Sequence, residues 1–235
     1  MNFVLDKCQT NVNMCAWNFF PLARYYFDTK EDKYLQGMLK PAQQFLALPD
    51  QSVIDQNVGH KLASLYQATK DEQYKKRLVL IADKELLNWS PDPVFYKGNY
   101  IQVVWSVFLP AYTITQDKKY LSASEKFFDI FNFPKNLKIF KTIDAVIKGI
   151  DALLSLGEVS EHSSVYKVQA HQALQEVLNR FWDNPQNSKV NNDYGFIEIT
   201  ESGKSVIKKT ISNGWIMKSF IRMADDKFDL VSLMK

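Results

Sequence analysis

The chain has few of the residues that interrupt helices or build disulfide scaffolds. It contains eight glycines in 235 residues, well below the usual share of about 7%. Few tight turns are therefore expected, which favours helices over a β-sandwich or β-barrel. The only cysteines are Cys8 and Cys15, and two turns of helix between them would hold them too far apart for a disulfide bond. We therefore expect a reduced chain in the cytoplasm.

Long apolar runs and an excess of one charge sign are also missing. No run approaches the roughly 18 apolar residues of a transmembrane helix. The first seven residues, Met-Asn-Phe-Val-Leu-Asp-Lys, lack the basic and apolar regions of a signal peptide. The formal charge is +3, with acidic and basic residues mixed along the chain. We expect neither a membrane protein nor a nucleic-acid-binding protein.

Motifs for metal binding, cofactor binding or nucleophilic catalysis are absent. His60, His162 and His171 are the only histidines, and the last two are too far apart to share a helix face as metal ligands do. There is no glycine-rich phosphate loop and no Gly-x-Ser-x-Gly motif. The sequence therefore predicts no metal and no cofactor.

The strongest positive signal is an internal repeat. Segments 22–34, 62–74 and 108–120 align without gaps. Each contains a tyrosine, a threonine three residues later, an acidic residue two further on and a closing tyrosine. These are Tyr26, Thr29, Glu31 and Tyr34; Tyr66, Thr69, Asp71 and Tyr74; and Tyr112, Thr115, Asp117 and Tyr120. The copies lie 40 and 46 residues apart, a period that fits two helices and two loops.

Each copy is predicted to form a helix, a tight turn and a second helix. The predicted first helices are 11–27, 53–67, 99–114, 142–156 and 208–223, and the predicted second helices are 32–48, 71–88, 117–132, 162–182 and 226–234. The threonine is expected to start the second helix, where its hydroxyl or the acidic residue after it caps the exposed N–H groups. Thr29-x-x-Asp32 and Thr69-x-x-Glu72 have the pattern of capping boxes. The closing tyrosines should be buried.

The fold class is therefore all-α, a single domain (1–235) of repeated antiparallel helical hairpins. The hairpins are expected to form an incomplete α/α toroid or arc, with one small β-hairpin near 193–207. Loops within hairpins are short, and loops between hairpins are long and varied. Variable loops on a repeated scaffold are where binding sites usually occur.

The turn pattern Tyr-x-x-Thr-x-[Asp/Glu]-x-x-Tyr resembles that of the α/α-toroid carbohydrate enzymes. These include unsaturated glucuronyl hydrolases, α-1,6-mannanases and N-acylglucosamine 2-epimerases, which usually have glycine after the threonine. This chain has Lys30, Lys70 and Gln116 there, so a turn that tightens differently is expected. It also has about four and a half hairpins against six in a closed toroid. A partner chain or self-association would then complete the ring, unless the chain forms an open arc or is a fragment.

The resemblance also suggests catalytic acids. Asp55-Gln-Asn-Val-Gly-His60 is similar to an inner helix of these families, and Asn57 stands where glucuronyl hydrolases have a functional Asp. Thr142-Ile-Asp-Ala145 resembles their "IDTM" motif, which makes Asp144 the matching acid. We take Asp144 and Asp55 as the candidate catalytic residues, because glycosidases use placed carboxylates. The alternative is that Asp144 only stabilises the start of a helix.

Substrate contacts are expected on the long-loop side. Loop 89–100 brings rings and amides together, as sugar sites require. The candidate binding residues are Asn57, His60, Trp89, Tyr96, Asn99, Tyr100 and Tyr194, with Trp17 and Trp105 as further rings near the cleft. The sequence predicts a carbohydrate-active protein that acts on or binds an oligosaccharide, and one candidate ligand is a uronate-containing oligosaccharide. If the protein is an enzyme, a glycosidase-like activity is expected. The alternative is a non-catalytic helical-repeat module that binds a protein or peptide.

Overall fold

The computed structural model describes residues 12–90, 100–137, 143–183, 195–199 and 206–208. These residues are mostly helical, as the all-α prediction requires. Predicted helices 208–223 and 226–234 lie almost entirely outside the described residues. No helix within the described ranges is long and apolar enough to cross a membrane.

Thirteen α-helices and one π-helical segment are found in the described residues. The α-helices are α1 (Val12–Trp17), α2 (Phe19–Thr29), α3 (Asp32–Leu39), α4 (Ala42–Ala47), α5 (Asp50–Asp55), α6 (Val58–Thr69), α7 (Glu72–Leu87), α8 (Tyr100–Val103), α9 (Leu109–Thr115), α10 (Lys118–Ile130), α11 (Phe133–Asn136), α12 (Ile143–Val159) and α13 (Ser163–Phe181). The π-helix, Val104–Phe108, joins α8 to α9 without a break. Helices that adjoin in the chain pack in pairs: α2 with α3, α6 with α7 and α12 with α13.

Three short strands follow α13. They are β1 (Trp182–Asp183), β2 (Gly195–Ile199) and β3 (Val206–Lys208), in the order β1-β2-β3 and antiparallel throughout. Ile197 pairs with Lys208 and Ile199 with Val206. The connecting residues 200–205 lie outside the described part of the chain, so the predicted β-hairpin as a whole stays a prediction.

The described residues form two compact units. The first contains 12–89 and 106–123, and the second contains 90, 100–105, 124–137, 143–183 and both later strand segments. In the first unit α6 packs against α2, α4, α7 and α9. In the second unit α12 packs against α8 and α13.

Each repeated turn has the same hydrogen bonds, and the predicted hairpin turns near Thr29, Thr69 and Thr115 are confirmed. Each of these threonines is the last residue of a helix, α2, α6 or α9. Its hydroxyl donates to the main-chain oxygen four residues earlier, at 2.7 Å in all three copies. The hydroxyl oxygen of the threonine in turn accepts from the main-chain N–H two residues after the threonine. The threonine thus ties the end of one helix to the start of the next.

The predicted role of the threonines as helix starts is wrong. The N-cap residue of α7 is Asp71, whose carboxylate accepts from the Gln73 N–H at 3.0 Å. Asp117 accepts in the same way from the Lys119 N–H at 3.1 Å. The threonine hydroxyl oxygen accepts from the main-chain N–H two residues later, which precedes the second helix, and not from an N–H within that helix. The acidic residue therefore caps the second helix in these two copies.

The residue after each threonine adopts the left-handed conformation usually given to glycine. Lys30, Lys70 and Gln116 have φ of 60°, 60° and 59°. The main-chain N–H of each donates to the main-chain oxygen of the first tyrosine of the repeat, at 2.7–2.8 Å. The expectation that the turn tightens differently without glycine is wrong, because these are the αL geometry and hydrogen bond of a glycine-ended helix.

Replacing Lys70 with glycine should therefore stabilise the protein. Glycine removes the left-handed strain of a residue with a Cβ atom, and we expect a gain of about 0.5–1 kcal/mol in the free energy of unfolding. Lys75→Gly is the matched control, because both amines lie over the Tyr66 ring, at 5.7 and 5.3 Å from its centroid. Lys75 is within α7, so that variant should lose about 1 kcal/mol. Urea unfolding would measure the change in stability of both variants. Destabilisation by Lys70→Gly would contradict a strained left-handed conformation at Lys70.

Three predicted helices are interrupted. The predicted helix 11–27 breaks at Asn18, which separates α1 from α2. The predicted helix 32–48 breaks at residues 40–41, because Pro41 has no N–H to donate to the helix. The predicted helix 53–67 breaks at residues 56–57, where Asn57 adopts φ 59°. Asparagine tolerates this conformation better than most residues.

The closing tyrosines are buried, as predicted. Tyr34, Tyr74 and Tyr120 are 5%, 3% and 1% exposed, and Tyr166 in the first turn of α13 is fully buried. The Tyr120 hydroxyl donates to the Asp83 carboxylate at 2.6 Å, and Tyr166 donates to Asp129 at 3.0 Å. Each pair joins residues 37 apart. Consecutive repeats are thus linked by the same tyrosine–aspartate hydrogen bond.

This hydrogen bond predicts a loss of stability at high pH. Burial, and then the bond to Asp83, raise the pKa of Tyr120 to about 12, whereas an unfolded tyrosine has a pKa near 10. The contribution of the neutral phenol is complete below pH 10 and is lost as the pH rises towards 12. We expect the urea midpoint to fall over this range.

Tyr120→Phe is the control for that prediction. Burial also raises the pKa of Tyr74 and of Tyr166, so the variant should show a smaller fall in urea midpoint rather than none. A fall equal to that of the wild type would show that Tyr120 does not contribute.

Candidate functional site

Several predicted site residues lie outside the described residues. These are Tyr96, Asn99 and Tyr194. Asp55 is the last residue of α5 and Asp144 is the second residue of α12, but the positions of their side chains are not described. The predicted catalytic pair is thus located on its helices only.

The first unit contains three other predicted residues. Asn57 precedes α6 and is half-buried. His60 is 6% exposed on α6 and its ring lies edge-on to Phe20, with the centroids 6.4 Å apart. Trp89 is half-buried, with its ring edge-on to Phe108 at 4.8 Å. His60 and Trp89 are therefore integrated into aromatic packing rather than projecting from a loop.

Ion pairs of Asp50 hold the segment that precedes Asp55 and Asn57. Asp50, at the start of α5, pairs with Arg77 at 2.9 Å and with Lys84 at 2.6 Å. Arg77 also donates to the main-chain oxygen of Leu48. The hydrogen bond from Lys84, followed by that from Arg77, lowers the pKa of Asp50. Asp50 thus has a structural role, anchoring α5 to α7.

The tryptophans predicted near a cleft occupy opposite environments. Trp17 is 80% exposed at the end of α1, whereas Trp105 is 2% exposed in the π-helix. The Trp105 indole N–H donates to the Asp151 carboxylate at 2.9 Å, and Asp151 is 1% exposed. Trp105 is therefore part of a buried polar contact instead of an open ring surface. Tyr100, also in the second unit, is half-buried, and its ring is 6.4 Å from that of Phe127.

Four polar or aromatic residues of the second unit form what we call the α12 polar cluster: Gln102, Trp105, Lys148 and Asp151. The Lys148 amine donates to the Gln102 side-chain oxygen at 2.7 Å. It also lies 5.6 Å from the centroid of the Trp105 ring. Because Trp105 bonds Asp151, the cluster is continuous from α8 and the π-helix to α12.

The sequence also contains a signal for this cluster. Positions 144, 148, 151 and 155 of α12 are Asp, Lys, Asp and Ser, spaced so that they fall on one helix face. The rest of the helix is rich in buried apolar residues such as Val146, Ile150 and Leu153. A polar stripe on an otherwise apolar helix indicates paired or functional groups, since isolated buried polar groups are costly. Of these four residues, the resemblance to the toroid enzymes indicates only Asp144.

The cluster offers the chemistry of a polar ligand site. The indole contacts both the carboxylate and the ammonium, and the ammonium also donates to the amide oxygen. Such groups can bind hydroxyls and an anionic group, and aromatic rings pack on apolar ligand faces. No group of three histidine, cysteine, aspartate or glutamate side chains in the described ranges is arranged to hold a metal ion. Comparison of the chain with protein-family models, curated proteins and solved structures found no match.

Proposed function

We propose that this chain is a carbohydrate-active protein of the α/α-toroid type that binds a uronate-containing oligosaccharide. The observation that carries the proposal is the α12 polar cluster, in which Lys148, Gln102 and Trp105 lie together. The resemblance of the turn motif to carbohydrate enzymes supports the same class. The helical hairpins would form an incomplete toroid or arc within one domain, completed by a partner chain or a second copy.

Each group in the cluster has a proposed part in sugar recognition. The Lys148 ammonium would bind the uronate carboxylate, since charge-assisted hydrogen bonds are stronger than neutral ones. The Gln102 amide would bind a sugar hydroxyl. Asp151 would hold the Trp105 ring in place through the indole N–H. Tyr100 belongs to α8, as Gln102 does, and would supply a further ring.

Asp144 is the proposed catalytic carboxylate in the second unit, and Asp55 in the first unit stays a separate catalytic candidate. Helical spacing puts residue 144 one turn before Lys148 on the face of the polar stripe. Glycosidase chemistry requires two placed carboxylates, one of which protonates the leaving group.

A sugar titration tests the proposal. Tryptophan fluorescence of the full chain would be followed while uronate-containing or neutral mannan oligosaccharides are added. We expect uronate binding in the wild type and a loss of about 10- to 100-fold in affinity in Lys148→Met, from removal of one charged hydrogen bond. Binding of a neutral sugar should change little. Lys118→Met, an exposed lysine at the start of α10, is the matched control.

The outcome also distinguishes the alternative function. Asp144→Asn should keep binding while abolishing any hydrolysis. A uronate affinity that is equal in the wild type and in Lys148→Met would overturn the assignment of the cluster. The absence of any response to either sugar would favour the non-catalytic helical-repeat module, which needs an apolar groove and no paired acids.

A further inference from the structure

A second site of interest lies in the first unit, around Lys61 on α6. The Lys61 side chain is half-buried. Its amine nitrogen lies 4.8 Å from the centroid of the Phe45 ring and 5.9 Å from that of Phe20. The amine donates to the main-chain oxygen of Ala16 at 3.2 Å. Residues from α1, α2 and α4 thus surround one amine with aromatic rings and a single carbonyl.

No carboxylate in the described residues forms an ion pair with Lys61. On α2, Arg24 and Asp28 pair with each other at 2.6 Å. On α5, Asp50 is held by two cations of α7. Helix α4 has no titratable side chain, and α1 contributes the buried thiol of Cys15. The charged groups of these neighbouring helices therefore leave the amine uncompensated.

This environment changes the chemistry of the amine. The aromatic faces attract an ammonium, but the loss of hydration is larger, and burial lowers the pKa of Lys61 to about 8. An ordinary lysine has a pKa near 10.4. A desolvated lysine in an apolar pocket is an activated nucleophile, because its neutral form is populated near neutral pH.

We propose that Lys61 is a covalent site for a small aromatic aldehyde, which it binds as an imine. The neutral nitrogen attacks the carbonyl carbon, and the π electrons of the C=O bond move to the oxygen. The nitrogen then loses its two protons, the oxygen leaves as water, and a C=N bond remains. No oxidant or reductant takes part. The Phe20 and Phe45 rings select an aromatic aldehyde because they can pack against its ring.

The test uses the folded full chain and benzaldehyde as the probe. Benzaldehyde is added at pH 7, the imine is trapped with cyanoborohydride, and modified lysines are quantified by peptide mass spectrometry. Lys70 is the internal control, because its amine also lies over a ring, that of Tyr66 at 5.7 Å, but its side chain is exposed. A lysine of pKa about 8 is neutral roughly a tenth of the time at pH 7, against less than about one part in a thousand for an ordinary lysine. We therefore expect at least about tenfold more label on Lys61 than on Lys70.

A substitution separates the role of the rings from that of the amine. Phe45→Leu keeps the niche apolar but removes the nearer ring. Labelling of Lys61 by benzaldehyde should fall severalfold in this variant, while labelling by formaldehyde, which has no ring, should persist. Equal labelling of Lys61 and Lys70 in the wild type at pH 7 would overturn the proposal. So would labelling of Lys61 that begins only above about pH 9.5, where ordinary lysines react.

Discussion

Replacing Gly59 with alanine is expected to destabilise the folded protein strongly. An added Cβ atom would lie 1.7 Å from the main-chain oxygen of Ser106 and 2.9 Å from its carbonyl carbon. Both atoms belong to the backbone of the neighbouring helix, so the two helices must move apart. Overpacking usually costs about 1–3 kcal/mol, and a clash with backbone should cost about 3 kcal/mol or more. Urea unfolding would measure the loss.

Two other helical glycines provide matched controls. A Cβ atom at Gly157 would meet Cγ of Lys167 at 2.7 Å, a side-chain atom rather than backbone. Gly157→Ala should therefore cost less than Gly59→Ala, since the helix preference of alanine, about 1 kcal/mol, offsets part of the contact. Gly149→Ala would meet the buried Phe133 ring at 2.2 Å and should have an intermediate cost. A loss in Gly59→Ala no larger than that in Gly157→Ala would contradict the close helix contact.

Truncating Tyr166 to alanine should cost about 3–5 kcal/mol, as for other large core side chains. The ring is fully buried and its hydroxyl donates to Asp129 at 3.0 Å. Tyr166→Phe keeps the ring and removes only the hydroxyl. That variant should lose about 1–2 kcal/mol, because the carboxylate loses its donor. Comparison of the two variants separates the packing contribution from the hydrogen bond.

Tyr74 is the internal reference for this hydrogen bond. It is 3% exposed, but Gly37 stands 37 residues before it, where Tyr120 and Tyr166 have an aspartate. Tyr74→Ala should cost about 3–5 kcal/mol for the same packing reason, while Tyr74→Phe should cost less than about 0.5 kcal/mol. If all three Tyr→Phe variants lost equal stability, the aspartates would not be the cause.

The repeated turn could be predicted from sequence because its contacts are local. The Thr69 hydroxyl donates to the main-chain oxygen of Leu65 and accepts from the main-chain N–H of Asp71. Because both partners are close in sequence, the order of residue types is enough to predict the turn. Burial of the closing tyrosines followed from the same pattern. The threonine is predicted to start the second helix but is the last residue of the first helix. A threonine beside an acidic residue is compatible with both positions. The hydrogen-bond partner decides between them, and only the structure shows it.

The rest of the site depends on contacts between distant residues. Trp105 and Asp151 are 46 residues apart in sequence, and so are Lys148 and Gln102. Spacing along one helix predicts which residues share a face, but not which helix they face. The low pKa of Lys61 has the same origin, since its neighbours Ala16 and Phe45 come from two other helices. Such sites require the packing to be known before the chemistry can be assigned.

The π-helix at Val104–Phe108 has a consequence for insertions and deletions in this protein. A π-helical turn is equivalent to one extra residue within an α-helix. Deleting a single residue there would restore regular α-helix, and would turn Tyr100–Val103 by about 100° relative to the residues that follow. When the deleted residue is Val104, Gln102 turns relative to Trp105, and the two could not both keep their hydrogen bonds to Lys148 and Asp151. All five residues of this stretch are also buried, so both its length and its sequence should resist change.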